Sequence, residues 1–332
     1  MEARTLFINR WSRLRSGWRV VVFAILYIAL LFLIGGLLRL VYAIAVYSGM
    51  GFRPGEYFAN VVFRLTILIA ALVAGFICNR VLEGLPWRAL GLSFHPRWWS
   101  HFLIGSLIGV ASIVLAAATA KVGGGLSFSF DGKDMMPLLI KALISAGALF
   151  ILAALAEEAL FRGYPLQTLT RAQLAWLGVL LTSLPFAAVH LGNPNVVKGF
   201  TFANTALAGI WLAVAYLRTR SLWFPLGVHW AWNWTLDSVL GLPVSGITIS
   251  SHPLFRGVDL GPAWLTGGSY GIEGGAACTI TLILSILFIW RTRLVSATPE
   301  MVRLTSHENP AATLTIPTDL RAELVENLER GP

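Results

Sequence analysis

The sequence predicts an all-α polytopic membrane bundle of about eight transmembrane helices, and three observations carry that prediction. Hydrophobic residues make up 56% of the 332 positions, charged residues only 12%, and the mean hydropathy is +0.72. Soluble domains carry about 25% charged residues, so this chain has too little polar surface to clothe a water-soluble globule. Second, apolar runs recur near 18–47, 58–79, 100–120, 135–160, 174–191, 200–217, 222–242 and 274–290. Each is close to or above the roughly 20 residues that a spanning helix needs. Third, basic residues punctuate the ends of these runs rather than their middles. The runs must be helical, because an unpaired backbone amide in hydrocarbon costs several kcal/mol.

The N-terminal segment 1–17 is basic, with Arg4, Arg10, Arg13 and Arg15, and Arg19 follows. It resembles a signal-peptide start, but the apolar stretch after it is too long and lacks a small-residue cleavage site. An uncleaved signal anchor is the expectation. Three runs then fill 18–134. With residue 1 cytoplasmic, the inner segments hold Arg80, Arg88 and Arg97, then Arg162 and Arg171, then Arg218 and Arg220, then Arg291 and Arg293. The outer segments hold Arg53, Lys121 and Lys133, Lys198, and Arg256. This asymmetry orients eight spans in a plasma (inner) membrane with both termini cytoplasmic. The connection from Pro243 to Glu273 is rich in Gly, Ser and Pro and reads as an outer loop. Residues 291–332 read as a cytoplasmic tail. Within it Leu320, Leu324 and Leu328 form one stripe of a short amphipathic helix over 318–331.

The net charge of +9 would suggest nucleic acid only if the bases clustered on one soluble face, which they do not. The expected partners are the bilayer itself and a peptide or protein substrate. Cys78 and Cys278 lie inside predicted spans without metal-site spacing and read as small buried hydrophobes.

The chemistry is concentrated in a core at 135–290. Charged groups inside a span are costly and functional by default. Three clusters stand out: Glu157-Glu158-x-x-x-Arg162 on the fourth run, Phe186-x-x-x-His190 on the fifth, and His229-x-x-x-Asn233 on the seventh. Glu158 and Arg162 are i,i+4 neighbours on one helix face, the acid before the base, and form a natural ion pair. Glu157 points about 100° away around the helix. His229 and Asn233 share a face, and Phe186 sits one turn from His190. Together these groups can take a proton from water and stabilise an oxyanion. A single intramembrane histidine is as readily an interhelical hydrogen-bond partner; the whole set is harder to explain that way. Arg64 and Lys141 stand near span ends and are expected to snorkel, and Asp237 is a candidate partner behind the site.

The ordered trio Glu-Glu-x-x-x-Arg, Phe-x-x-x-His and His-x-x-x-Asn resembles the CPBP (CAAX protease/Abi) family of intramembrane endopeptidases, over residues 135–240. The resemblance implies that Glu157 activates the attacking water with help from His190. It implies that His229 and Asn233 hold the oxyanion, while Glu158, Arg162 and Phe186 support the site. Both a prenylated CAAX-like substrate and an unlipidated one are compatible with it. No cofactor is the favoured expectation, because a His and an Asn on one face suit an oxyanion hole. The alternative is a zinc protease with Glu157, His190 and His229 as ligands.

Two rival functions share these residues. A proton-coupled transporter would carry inverted repeats and broken helices in matching halves, whereas here the polar groups crowd into one half. A non-catalytic immunity or scaffold protein would keep the same site. One geometric difficulty also stands: simple helix lengths put Glu157 about 15 Å and His190 about 25 Å above the inner end. They meet only if the fourth helix continues past Gly163 and the fifth starts nearer Gly178.

Overall fold

The computed structural model of the chain describes residues 6–48, 53–130, 136–197 and 199–308. The predicted helix at 318–331 lies outside them. Each of the eight apolar runs is helical. The helices are α1 (Ser16–Tyr47), α2 (Glu56–Cys78), α3 (Trp98–Val122), α4 (Met136–Glu158), α5 (Tyr164–Arg171), α6 (Ala175–His190), α7 (Phe200–Thr219), α8 (Trp223–Trp234), α9 (Ala276–Arg291) and the short α10 (Pro299–Thr305). Turns of π-helix extend α2 through Asn79–Glu83, α4 through Ala159–Gly163 and α8 through Thr235–Val239.

Among the described residues, five helices are long and apolar enough to cross a bilayer: Ser16–Tyr47, Glu56–Glu83, Trp98–Val122, Met136–Arg171 and Phe200–Thr219. The helices α6 and α9 have 16 residues each, about 24 Å at 1.5 Å per residue, short of a hydrocarbon core about 30 Å thick. The reason is visible at α6, which stops at His190. Non-helical backbone at membrane depth is tolerated where it lines a cavity, and Asn193, just beyond the helix, lines one.

The continuation past Gly163 is real and resolves the depth mismatch by itself. The π turn carries the chain into α5, whose Pro165 occupies the first turn, where no amide is needed. Glu157 then stands 14 residues before Arg171 and His190 stands 15 after Ala175, about 21 and 22 Å. A start of α6 near Gly178 is not required; it begins at Ala175.

The core is centred on α3, α7, α8 and α9, around Ile113, Trp211, Phe224, Val228, Leu236 and Leu282. Glycines set the closest contact. A Cβ on Gly105 or Gly109 of α3 would fall 2.3 or 2.4 Å from the Phe224 or Val228 carbonyl oxygen, and one on Gly227 would fall 2.2 Å from that of Phe102. This small-residue seam lets two backbones touch and fixes α8, the carrier of His229 and Asn233. By contrast α1 buries only Ser16, Arg19 and Phe23, so most of its apolar surface faces outward.

Segments assigned to one side by charge meet at one end. Arg171 Nε donates to Glu83 at 2.6 Å, Arg19 lies 2.9 Å from Glu308, and Asn9 Nδ2 donates to Glu308 at 3.1 Å. Arg97 donates to Ser296 Oγ there too. At the opposite end β1 (Leu126–Ser129) pairs antiparallel with β2 (Arg256–Asp259), two strands too short for the sequence to reveal.

Candidate active site

A cavity of about 750 Å³ opens inside the bundle and is lined by Glu157, His190, His229 and Asn233 together. The sequence-predicted residues therefore converge. Glu157 comes from the last turn of α4, His190 from the end of α6, and His229 and Asn233 from one face of α8.

The two adjacent acids separate as helical geometry requires. The Glu158 side chain is completely buried and does not line the cavity. Its Oε1 accepts from Arg162 Nη1 at 3.1 Å and lies 2.9 Å from His229 Nδ1. Arg162 is buried as fully, donates to the Gly209 carbonyl at 2.9 Å, and places its guanidinium 4.6 Å from the centre of the Phe186 ring. Gly209 can approach because α7 lies tight on α6: a Cβ there would sit 2.8 Å from the Ser183 Cα. Arg162 is therefore cut off from the inner surface, although it lies only nine residues before Arg171. Glu157 faces the cavity, with Oε2 3.7 Å from His229 Nε2.

Two imidazole orientations follow from these contacts. His190 Nδ1 lies 2.6 Å from the Phe186 carbonyl, an acceptor only, so Nδ1 donates that bond and Nε2 is left for another partner. His229 Nδ1 donates to the Glu158 carboxylate, so its Nε2 is the atom presented toward Glu157. Phe186 packs 4.7 Å from the His190 ring and 6.1 Å from the His229 ring, as the wall between them.

Arg64 is a correction. It does not snorkel to a span end: Nη1 donates to Glu157 Oε1 at 3.3 Å, across from α2 to α4. Lys141, in contrast, is exposed near the start of α4. Asp237 stands behind the site through the loop that follows α8: its carboxylate accepts from the Ile249 and Ser250 amides, and Ile249 lines the cavity. A further polar group was missed. Glu273 accepts from Trp232 Nε1 at 2.8 Å and from Ser245 Oγ at 3.0 Å, Asn193 donates to the Ser245 carbonyl, and all of Asn193, Ser245 and Glu273 line the cavity. The available signal was a single acid closing a long polar loop, too weak to assign.

The zinc alternative needs Glu157, His190 and His229 to converge on one point. Among the described residues no three His, Cys, Asp or Glu side chains are arranged to hold a metal ion.

A family model described as type II CAAX prenyl endopeptidase Rce1-like matches residues 139–235, the stretch from α4 through α8 that builds the cavity. The chain belongs to the CPBP/CAAX protease family. It is also 32% identical over 149 residues to a protein of Escherichia coli described as "Uncharacterized 24.3 kDa protein", an alignment spanning 41% of this chain and 67% of that one. No solved structure matches it significantly. The family is one of proteases, and the matched region holds every residue of the Glu157–His190–His229–Asn233 set.

Proposed function

We propose that this CPBP-family protein is an intramembrane endopeptidase that hydrolyses a peptide bond of a membrane-associated substrate with a water activated by Glu157. The observation that carries the reading is the division of labour between neighbouring acids. Glu158 is locked behind the site by Arg162 and His229, while Glu157 faces the cavity beside two imidazoles.

In this reading Glu157 takes a proton from water, and the hydroxide adds to the scissile carbonyl carbon. The lone pair on His190 Nε2 accepts from the same water and orients it. The charge on the carbonyl oxygen is met by the Asn233 amide and by His229 Nε2. Donors placed in advance for a developing oxyanion are a large share of hydrolytic catalysis. Collapse breaks the C–N bond, and the leaving amine takes the proton from Glu157. Glu158 and Arg162 act through His229 by holding its ring.

The reaction needs no metal, and the protein sits in the plasma (inner) membrane with cytoplasmic termini. The test is cleavage of a membrane-tethered peptide library by purified protein and by Glu157→Ala. Products from the wild type alone, undiminished by chelator, are expected. Stoichiometric zinc whose removal abolishes cleavage and whose return restores it would overturn the metal-free assignment.

A further inference from the structure

The ion pair between Arg64 and Glu157 assigns a role to α2 that the proposed hydrolysis does not use. Arg64 is the one Arg or Lys among the described residues lining the cavity. Its side chain is 24% exposed, and that of Glu157 is 18% exposed. The contact is long for a charge-assisted bond, 3.3 Å against a usual 2.7–2.9 Å or so. A guanidinium on Oε1 also occupies one of the two oxygens with which Glu157 would meet a water.

The surroundings point to what else could occupy that guanidinium. Glu56, Asn60 and Arg64 recur every four residues on α2, and all three line the cavity. A polar stripe thus runs from the start of α2 to the site. Among the described residues α2 packs on α1 and α4 but not along α6, although Val189 and His190 of α6 line the same space. The space between α2 and α6 is a sideways approach for a membrane-held peptide.

We propose that Arg64 receives the C-terminal carboxylate of the peptide substrate and, in doing so, releases Glu157 to act as the base. This rests on the protease reading above. Arginine is suited to the exchange because its planar fork binds a carboxylate through two parallel bonds, where Glu157 engages one nitrogen through one oxygen. A peptide ending a few residues beyond the scissile bond places its carboxylate inside a 750 Å³ cavity; a chain continuing outward does not. Arg64 is thus a positioning residue that couples substrate recognition to the freeing of the base.

The test compares one peptide in two forms, C-terminal acid and C-terminal amide, on wild type, Arg64→Gln and Arg64→Lys. Wild type is expected to cleave the acid at about tenfold or higher kcat/KM, the scale of a hydrogen bond to a charged group. The ratio should fall to near one in Arg64→Gln and be partly kept in Arg64→Lys. The same two peptides are titrated against Glu157→Gln, with and without Arg64→Gln, so that binding is read without turnover. A selectivity for the acid that vanishes with Arg64 in binding, with no cleavage by any variant, supports the carboxylate contact of Arg64 and sinks the protease reading together with the release of a base. Equal acid-to-amide ratios in wild type and Arg64→Gln overturn the inference. So does a preference that anionic phosphatidylglycerol in the vesicles abolishes, because a lipid phosphate would then be the group bound.

Discussion

Exchanging Glu158 for Gln removes one charge and almost no volume, and the structure says what that costs. Oε1 of Glu158 serves both Arg162 Nη1 and His229 Nδ1, and the Glu158 and Arg162 side chains have no exposure. With the carboxylate gone, Arg162 retains the Gly209 carbonyl and the Phe186 face, neither of which carries a formal charge. Removing one partner of a buried pair costs about 3–5 kcal/mol. The full range applies because Arg162 is walled off from water instead of sitting near the inner surface. Glu157→Gln differs: its contacts to Arg64 and His229 lie beside a cavity and are only partly buried, so their loss costs less than that of a fully buried pair. Melting in detergent should therefore show Glu158→Gln strongly destabilised and Glu157→Gln close to wild type. Peptide cleavage should show Glu157→Gln reduced about 10²–10⁴-fold, the range of general-base catalysis. Glu158→Gln should lose activity too, since His229 loses the acceptor that orients its ring. A stable, inactive Glu158→Gln beside an unstable Glu157→Gln would refute the assignment of the two acids.

Other outcomes follow from the same geometry. Asn233→Ala should lower kcat about 10²–10³-fold, as loss of an oxyanion donor does, with unchanged melting; a change in KM alone would remove it from that role. Gly227→Ala places a methyl 2.2 Å from the Phe102 carbonyl, so the seam between α3 and α8 should part and folded yield should fall, whereas Ala at Gly35, which meets nothing within 4 Å, should be silent. Equal yields from both would mean the seam is looser than described. Glu83→Gln leaves the buried Arg171 short of a counter-charge, while Arg19 keeps Glu308, and should cost stability, again about 3–5 kcal/mol, without affecting cleavage by the protein that folds. Reporter fusions after Glu308 and at Arg256 should report opposite sides of the membrane, the former cytoplasmic; a shared side would mean that α9 does not cross.

What the sequence made legible follows distance along a single helix. The Glu158–Arg162 pair, the outward turn of Glu157 and the shared face of His229 and Asn233 all depend on helical periodicity, which is fixed before any packing occurs. The eight helical runs were equally legible, because hydrocarbon leaves the backbone few alternatives. Contacts between helices were not. Arg64 looked like a residue free to reach the interface, since nothing local shows that α2 lies against α4 at the depth of Glu157. The Glu158–His229 bond, 71 residues apart, was hidden for the same reason. Residues 164–171, with Gln167, Thr168, Thr170 and Arg171, look like a polar connection. They form a helix because Glu83 accepts from Thr168 and Arg171 across the bundle. Asp237 sits on the helix of the site, yet its partners are amides 12 and 13 residues onward, in a loop whose path only tertiary structure fixes. Where partner and residue share a helix, spacing identifies the pair; where they do not, burial of charge gives only the existence of a partner.

The central claim is that water, activated by Glu157, is the group that cleaves the peptide. Cleavage of a membrane-tethered peptide in ¹⁸O-labelled water, followed by mass spectrometry of the new C-terminus in a single turnover, tests it most directly. The account predicts one ¹⁸O in that carboxylate from the wild type in the first turnover and no product from Glu157→Gln. A first-turnover product carrying only ¹⁶O, which would come from a carboxylate that had itself attacked the peptide, or undiminished product from Glu157→Gln, would contradict it.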